Sequence, residues 1–259
     1  MTKPEALQAA LKPLALADWQ YHPVVGSTND LARDWARNGA PDWSLVVADE
    51  QTAGRGRFER QWVTRPGVSL AMSLVIRPTA QEANHVTRFT ALAALGLVQS
   101  LEKMGLQAEI KWPNDVLLQG NKVAGVLVEA EWHGDAMDAL VVGMGVNINP
   151  GAVPEAGEVR FPSTSVEAAV GRAVDRWALL ADILRVMQAV RGYLTKEAFM
   201  EAWNAHLACR GDWVHFRMPS GVVRRYQVLG VMPDGRLSLQ GEDGQSTAFN
   251  SGEVVMVYT

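Results

Sequence analysis

Short apolar runs separated by turn residues recur between residues 44 and 149, and this pattern constrains the fold of the 259-residue chain more than any other feature. In the run at 68–76, small residues alternate with leucine and methionine, which is the period of two typical of a strand. Further strands are predicted at 18–25, 44–50, 110–118, 122–129 and 139–149. Pro113 divides the run at 110–118 into two strands. The chain is therefore expected to build one mixed β-sheet.

Apolar residues spaced three or four positions apart predict helices that accompany the sheet. Phe89, Ala93 and Leu97 recur along one face of a helix predicted over 81–104, and Gly105 would end it. Other helices are predicted at 4–12, 28–38, 165–171, 175–193 and 195–208. The stretch at 150–165 is rich in Gly, Pro and Ala and is expected to be a loop.

From residue 211 the pattern changes to short strands separated by turns. Strands are predicted at 213–216, 222–231, 237–239, 247–249 and 254–258. The turns between them carry Gly221, Gly235 and Gly244. This pattern predicts a small barrel-like β-module attached near residue 210. At the other end, the segment before the first strand is too short for a helix-turn-helix domain, so no DNA-binding module is expected.

Composition and absent motifs exclude several function classes. The net charge of −4 argues against a broad nucleic-acid-binding surface. The single Cys209 excludes an internal disulfide and a multi-cysteine metal site, and it fits a reducing compartment. No apolar run reaches the roughly 18 residues of a membrane helix, so a cytoplasmic protein is expected. The five histidines are scattered, and the phosphate-loop, HExxH and GxSxG motifs are absent.

One loop has an unusual chemistry. The segment at 51–62, called the arginine loop below, places Arg55, Arg57 and Arg60 beside Gly54 and Gly56. Glycines let the backbone approach a ligand closely, and arginines supply forked donors suited to carboxylates and phosphates. The loop is therefore a candidate anion clamp. A solvated surface turn is the alternative interpretation.

Two other segments are candidates for ligand contacts. Ser27, Thr28 and Asn29 open a predicted helix, where they form either an ordinary helix cap or a polar pocket for a ligand head group. Lys111 lies between Ile110 and Trp112. It is either an exposed lysine or a partly desolvated ammonium that attracts an anion. Together with the arginine loop, these groups would stabilise charge, which suits phosphoryl or nucleotidyl transfer.

Five motifs in register resemble the biotin protein ligases. They are Ser27-Thr28-Asn29, the arginine loop from Gln51 to Trp62, Lys111-Trp112-Pro113-Asn114-Asp115, Lys122-Val123-Ala124-Gly125 and Gly143-Met144-Gly145-Val146-Asn147. The similarity runs from about residue 20 to the closing Ser251-Gly252-Glu253-Val254. It implies an α+β fold, with a mixed β-sheet and flanking helices similar to class II aminoacyl-tRNA synthetases, plus a C-terminal SH3-like β-barrel. The implied domains are 1–209, which would be catalytic, and 210–259, which would be the barrel.

The resemblance also implies a reaction. Biotin would attack ATP, assisted by Mg²⁺, to give biotinyl-5′-AMP and pyrophosphate. A lysine of a biotin carboxyl carrier domain would then take the biotinyl group. No nucleic acid and no membrane would be partners, and a ligase without repressor activity is expected.

The resemblance assigns roles to individual residues. Lys111, Arg55 and Arg57 would be catalytic. Biotin would contact Ser27, Thr28, Asn29, Gln51, Gly54, Arg55, Gly56, Arg57, Lys111, Gly143 and Gly145. The nucleotide would contact Arg57, Trp62, Asn114, Lys122 and Asn147. Asp115 is a weak candidate for a metal ligand.

The chain departs from the family pattern at Phe58-Glu59, where many relatives carry Arg-Gly, so neither residue is assigned to the site. Two alternatives stay open. A lipoate- or octanoate-attaching enzyme would usually show a glycine run with an Arg-Arg pair, which this chain lacks. A non-catalytic binding protein would not need Lys111 and the arginine pair.

Overall fold

A seven-stranded mixed sheet forms the centre of the molecule. The computed structural model describes residues 4–58, 60–134, 136–153 and 161–255. The strands of this sheet are β1 (Asp18–Val25), β2 (Ser44–Gln51), β3 (Ser69–Ile76), β4 (Ala108–Lys111), β5 (Asp115–Leu118), β6 (Asn121–His133) and β7 (Ala136–Asn147). Their order is β1-β2-β3-β7-β6-β5-β4. Only the β1–β2 pair is parallel among the described pairings, so the predicted mixed sheet is confirmed.

Helices cover both faces of this sheet. They are α1 (Glu5–Leu11), α2 (Thr28–Arg37), α3 (Arg88–Glu102), α4 (Val166–Val170), α5 (Arg176–Arg191) and α6 (Glu197–Ala205). The larger core joins α3 and α5 to one face of the sheet. On the opposite face, Ala32 and Ala36 of α2 pack against Val46 and Val141. Small alanine side chains bring α2 close to the sheet, and this close packing fixes its N-terminus above the middle strands.

The helix predicted over 81–104 was wrong at its start, because α3 begins at Arg88. Glu82–His85 forms a separate 3₁₀ turn instead. The Glu82 carboxylate accepts a hydrogen bond from the Thr79 amide at 2.8 Å and pairs with Arg191 at 2.8 Å. These two partners hold Glu82 in a local turn, and the α-helix starts only after it.

The C-terminal part forms a second, antiparallel sheet. Its strands are β8 (Trp213–Arg217), β9 (Val223–Val231), β10 (Leu237–Gly241), β11 (Ser246–Phe249) and β12 (Glu253–Val255), in the order β11-β10-β9-β8-β12. The predicted all-β module is confirmed, but closure into an SH3-like barrel is not confirmed by the described strands. The last strand was predicted over 254–258, and positions 256–258 lie outside the described residues. None of the described helices is long and apolar enough to cross a membrane.

Candidate active site

A row of paired residues crosses the central sheet from one edge to the other. From β1 to β4 the row contains His22, Ala48, Ala71, Gly145, Gly125, Asp115 and Lys111. The central members carry a methyl group or no side chain. They therefore leave a shallow space above the sheet, which we call the trough. We call Ala48, Ala71, Gly145 and Gly125 the floor. Larger side chains at these positions would occupy the space above the sheet, so the trough depends on the small size of these residues.

One end of the floor is bounded by uncharged hydrogen-bonding groups from the start of α2 and from strands β2 and β3. We call Thr28, Asn29, Gln51 and Ser73 the polar pocket. Thr28 donates to Gln51 Oε1 from its amide at 2.9 Å and from its hydroxyl at 3.0 Å. Ser73 Oγ lies 2.7 Å from Thr28 Oγ1 and 2.6 Å from Asn29 Oδ1. Thr28 and Asn29 are buried, so these groups are held in place before any ligand arrives.

Two sequence expectations for this pocket can be compared with the geometry. Ser27 occupies the N-cap position of α2 but its side chain makes no capping hydrogen bond, so the interpretation as an ordinary cap is not supported. A Cβ at Gly143 would lie 2.0 Å from Asn29 Oδ1. Only glycine lets the Asn29 amide reach the sheet at this position.

The opposite end of the row carries a buried cation. Lys111 is only 4% exposed, and its Nζ lies 3.8 Å from the centre of the Phe161 ring. Burial lowers the pKa of Lys111 below its ordinary value, although the Asp115 carboxylate opposes this effect. The alternative of an ordinary exposed lysine is therefore wrong. Beside it, Lys122 Nζ lies 2.7 Å from Asp115 Oδ1.

The arginine loop closes over the trough as a narrow hairpin. Arg55 and Gln61 form an antiparallel bridge, and the Trp62 amide donates to the Gly54 carbonyl at 2.9 Å. A Cβ at Gly54 would lie 2.4 Å from the Trp62 carbonyl oxygen, so this position requires glycine. Gly56 donates its amide to the Arg60 carbonyl at 2.7 Å. Thus both glycines shape the hairpin.

The three arginines of the loop point to different partners. Arg55 Nη1 lies 2.7 Å from both carboxylate oxygens of Asp30, and this contact is the main cause that raises the pKa of Arg55. Arg57 Nη1 lies 3.4 Å from Asn114 Oδ1, and burial lowers the pKa of Arg57. Arg60 forms an ion pair with Glu253 of β12 at 3.2 Å. Arg57 is therefore the loop arginine without a close carboxylate partner among the described residues.

The remaining predicted residues lie around the arginine loop. The Trp62 indole fills the space above Gly145 and Gly125, where added Cβ atoms would approach it to 2.3 and 3.5 Å. Its Nε1 is buried and has no hydrogen-bond partner in the part of the chain that the structure describes. Lys122 Nζ lies 5.5 Å from the centre of this ring. Asn147 is buried, and its amide donates to the Thr164 carbonyl at 3.1 Å. The sheet thus brings the two glycine-containing motifs under the loop.

The side chain of Asp115 is an unpromising metal ligand, because Lys122 already occupies one of its oxygens. Among the described residues, no group of three His, Cys, Asp or Glu side chains could hold a metal ion. Mg²⁺ usually keeps several waters and needs only one or two carboxylates together with substrate phosphates. A metal that arrives with a nucleotide is therefore compatible with these residues.

Three residues near the site were missed by sequence reasoning. Phe161 belongs to a stretch that carries no regular pattern, so no sequence signal placed it against Lys111. Ser73 and Glu129 could have been found from strand alternation. Ser73 is paired with Gly143, and Glu129 lies four positions after Gly125, which places both on the face of the trough.

The chain is similar in sequence to known protein ligases. Residues 21–147 match the model of the biotin/lipoate A/B protein ligase family. The chain is 35% identical over 230 residues to the bifunctional ligase/repressor BirA of Bacillus subtilis, covering 86% of this chain and 70% of that protein. It is 36% identical over 210 residues to the biotin–[acetyl-CoA-carboxylase] ligase of Paracoccus denitrificans, covering 77% of this chain and 85% of that protein.

A solved structure is similar over almost the whole chain. The biotin protein ligase from Aquifex aeolicus in complex with biotin and ATP has a TM-score of 0.78 and 26% identity, and the match covers 93% of this chain and 98% of that one.

Proposed function

Because the chain belongs to the biotin/lipoate A/B protein ligase family, we propose that it activates biotin as biotinyl-5′-AMP with ATP and transfers the biotinyl group to a lysine of a biotin carboxyl carrier domain. In this proposal the chain is an enzyme, a biotin protein ligase. The relatives named as ligases and the similar structure solved with biotin and ATP support it.

One observation carries the proposal most strongly: a trough with a side-chain-poor floor joins a polar pocket to a buried lysine. A ligand with a compact polar head and an extended acyl chain that ends in a carboxylate fits such a trough. The head group would exchange hydrogen bonds with Thr28, Asn29 and Gln51, with Ser27 nearby. The chain would lie over Gly143 and Gly145 once the Trp62 ring, which now covers Gly145, has moved aside, and the carboxylate would reach Lys111.

In the first step, a carboxylate oxygen of biotin attacks the α-phosphorus of ATP. The new bond is the O–P bond of the mixed anhydride, the bond to the β-phosphate oxygen breaks, and pyrophosphate leaves. Negative charge concentrates on the transferring phosphoryl group. Lys111 and Arg57 would stabilise this charge, because both are partly desolvated cations with no carboxylate in ion-pair contact among the described residues. A fixed cation in a low-dielectric site has a larger effect than one in water.

We place the nucleotide beside Trp62, Asn147 and Lys122, with Asn114 next to Arg57. The unpartnered Trp62 Nε1 and the buried Asn147 amide are suited to contacts with a purine. Mg²⁺ would enter the site bound to the phosphates of ATP. Since the Trp62 ring fills the space above Gly125 and Gly145, we expect the arginine loop to open for ligand entry and to close over the adenylate.

In the second step, the neutral ε-amine of the acceptor lysine attacks the biotinyl carbonyl carbon. An amide bond forms, the attacking nitrogen loses one proton to water, the bond between the carbonyl carbon and the phosphate oxygen breaks, and AMP leaves. Residues of the trough would keep water away from the anhydride until the acceptor arrives. A site that excludes water in this way protects a reactive intermediate between the two steps.

A test of this function separates the two half-reactions. Exchange of labelled pyrophosphate into ATP should require biotin, and incubation with a carrier domain should attach biotin to its lysine. Lipoate and octanoate, tested in parallel, should give no exchange. Exchange with lipoate or octanoate but not with biotin would assign the chain to the lipoate- or octanoate-attaching members of the family. Exchange with none of the three acids would refute the proposal that the chain is an enzyme of this kind.

Three further predictions belong to this proposal. The first is the division into a catalytic part at 1–209 and an SH3-like barrel at 210–259, which is supported by the separate second sheet. The second is a location in the cytoplasm, which is supported by the single cysteine. The third is that neither nucleic acid nor membrane is a partner.

A further inference from the structure

Two carboxylates hold the first arginine of the arginine loop on the body of the protein. Arg55 Nη1 lies 2.7 Å from both oxygens of Asp30, in the first turn of α2. Its Nη2 lies 3.3 and 3.2 Å from the two oxygens of Glu129, in β6. All three side chains are partly exposed, with 37% for Arg55, 39% for Asp30 and 26% for Glu129. The loop is therefore attached to two different elements through one side chain.

The same Glu129 carboxylate also reaches into the polar pocket. Asn29 Nδ2 donates to Glu129 Oε2 at 2.6 Å and lies 3.4 Å from the Leu127 carbonyl. On its other side, Asn29 Oδ1 accepts from Ser73 at 2.6 Å. These contacts orient the Asn29 amide, with its NH₂ toward Glu129 and its oxygen toward Ser73. Glu129 therefore contacts both the loop and the pocket.

The charges of this cluster balance without Arg57. Arg33 Nη1 lies 3.7 Å from Glu129, and Arg33 also pairs with Asp30. The guanidinium groups of Arg33 and Arg55 thus face the carboxylates of Asp30 and Glu129. A third carboxylate, Glu131, lies 3.9 Å from Arg33 and pairs with Arg37 at 2.7 Å. Since Arg55 is neutralised by Asp30 and Glu129, its charge contributes less to a ligand phosphate than the charge of Arg57. The position of Arg55 instead indicates that it holds the arginine loop closed.

We infer that Asp30 and Glu129 are positioning residues that latch the closed arginine loop, and that Glu129 couples this latch to the orientation of Asn29 in the polar pocket. The inference rests on the proposed function, since it makes the latch responsible for retaining the adenylate. Neither carboxylate touches the reacting atoms. Each acts through another residue, Asp30 through Arg55 and Glu129 through Arg55 and Asn29.

The first experiment measures release of preformed biotinyl-5′-AMP from the full chain. Asp30→Asn keeps the shape of the side chain but removes its charge, and release should become about fivefold faster, as expected for loss of a partly exposed ion pair. The KM for biotin should stay within about twofold, because Asp30 does not touch the pocket. Asp182→Asn, which changes an exposed pair with Arg185 on α5, is the matched control and should leave release unchanged.

Two variants of Glu129 separate the latch from the pocket. Glu129→Ala removes the partner of both Arg55 and Asn29, so release should accelerate and the KM for biotin should rise. Glu129→Gln retains an oxygen that can accept from Asn29 Nδ2 but loses the charge. It should restore the KM and leave release fast. An equal rise of KM in both variants would overturn the coupling through Asn29.

A double-variant cycle and a protease assay complete the test. If Arg55 acts through Asp30, Asp30→Asn combined with Arg55→Gln should release the adenylate no faster than Arg55→Gln alone. Trypsin cleavage after Arg57 in the ligand-free protein should be faster in Asp30→Asn than in wild type. Additive effects in the cycle, or equal cleavage rates, would overturn the latch. If the wild type formed no adenylate, the proposed function would be refuted. The comparison of trypsin cleavage rates would still test whether Asp30 holds the arginine loop closed.

Discussion

The two ends of the trough are built from different kinds of side chains. The polar pocket uses uncharged amides and hydroxyls from α2, β2 and β3, and each of these groups has a partner within the protein. The Lys111 end collects charges from separate parts of the chain, namely β4, β5, β6, the arginine loop and β12. Neutral groups on adjacent elements give a rigid shape, whereas charges on distant segments give a field that changes when the loop moves.

This contrast assigns recognition to one end and chemistry to the other. Neutral hydrogen bonds discriminate between head groups, because a ligand that lacks a matching donor or acceptor leaves buried groups unpaired. Cations near the reacting phosphate act mainly on the transition state. Variants at the two ends should therefore differ in whether they change KM or kcat.

The largest effect on the reaction rate is expected at the Lys111 end of the trough. Lys111→Ala should slow adenylate formation by about 100-fold, which corresponds to on the order of 3 kcal/mol of transition-state stabilisation. The KM for biotin should rise by a smaller factor than the rate falls, because Lys111 also meets the biotin carboxylate before the reaction. Single-turnover formation of the adenylate measures this rate, and Lys103→Ala, on an exposed lysine after α3, is the control. A rate near wild type would contradict the role of Lys111.

A smaller effect of the opposite kind is expected at the polar pocket. In Gly143→Ala the new Cβ would collide with Asn29 Oδ1, which lies 2.0 Å away. Displacing this amide should raise the KM for biotin by about tenfold, with little change in kcat. Gly26→Ala, where a Cβ would meet nothing within 4 Å, is the matched control. If Gly143→Ala lowered kcat alone, the assignment of recognition to this end would be wrong.

A weaker effect is expected from the contact between the arginine loop and the second sheet. Partial burial raises the pKa of Glu253, but the hydrogen bond from Arg60 and the charges of Arg60, Lys111 and Arg217 together outweigh it and leave the pKa below its ordinary value. Glu253→Gln should weaken this ion pair and raise the KM for ATP by about threefold. Steady-state kinetics at two salt concentrations test this, because screening should reduce the difference between variant and wild type.

The smallest predicted difference concerns how the rate of adenylate formation depends on pH, which should reflect the Lys111 end and not the polar pocket. Burial lowers the pKa of Lys111, so its ammonium loses the proton at a lower pH than an ordinary lysine does. Adenylate formation should therefore fall on the alkaline side as pH rises through the lowered pKa. Lys111→Arg should move this alkaline limb to higher pH, since arginine stays charged. An alkaline limb that is unchanged in Lys111→Arg would assign the titration to another group.

Much of the fold could be predicted from the sequence, because strand alternation and turn residues are local signals. The break at Pro113, the strands around it and the change near residue 211 all follow from such signals. The start of α3 could not be predicted, because the partner that holds Glu82 is Arg191, more than 100 residues away. Closure of the second sheet is likewise beyond the reach of local patterns.

Among the site residues, the glycines and Lys111 could be identified from the sequence because their motifs are compact. Arg55 and Arg57 could not be distinguished from the sequence, since both lie in the same short loop. The structure separates them, because α2 and β6 supply two carboxylates to Arg55 and none at comparable distance to Arg57 among the described residues.

The sequence by itself determined the strands, the small residues of the floor and the candidate cations, since these depend on residue type and short-range spacing. Only the tertiary structure decided that seven residues from β1 to β4 form one row, that Phe161 covers Lys111, and that Glu129 joins the arginine loop to the polar pocket. The physical reason is that the strand order β3-β7-β6-β5-β4 places distant segments side by side, and spacing along the chain carries no record of that order.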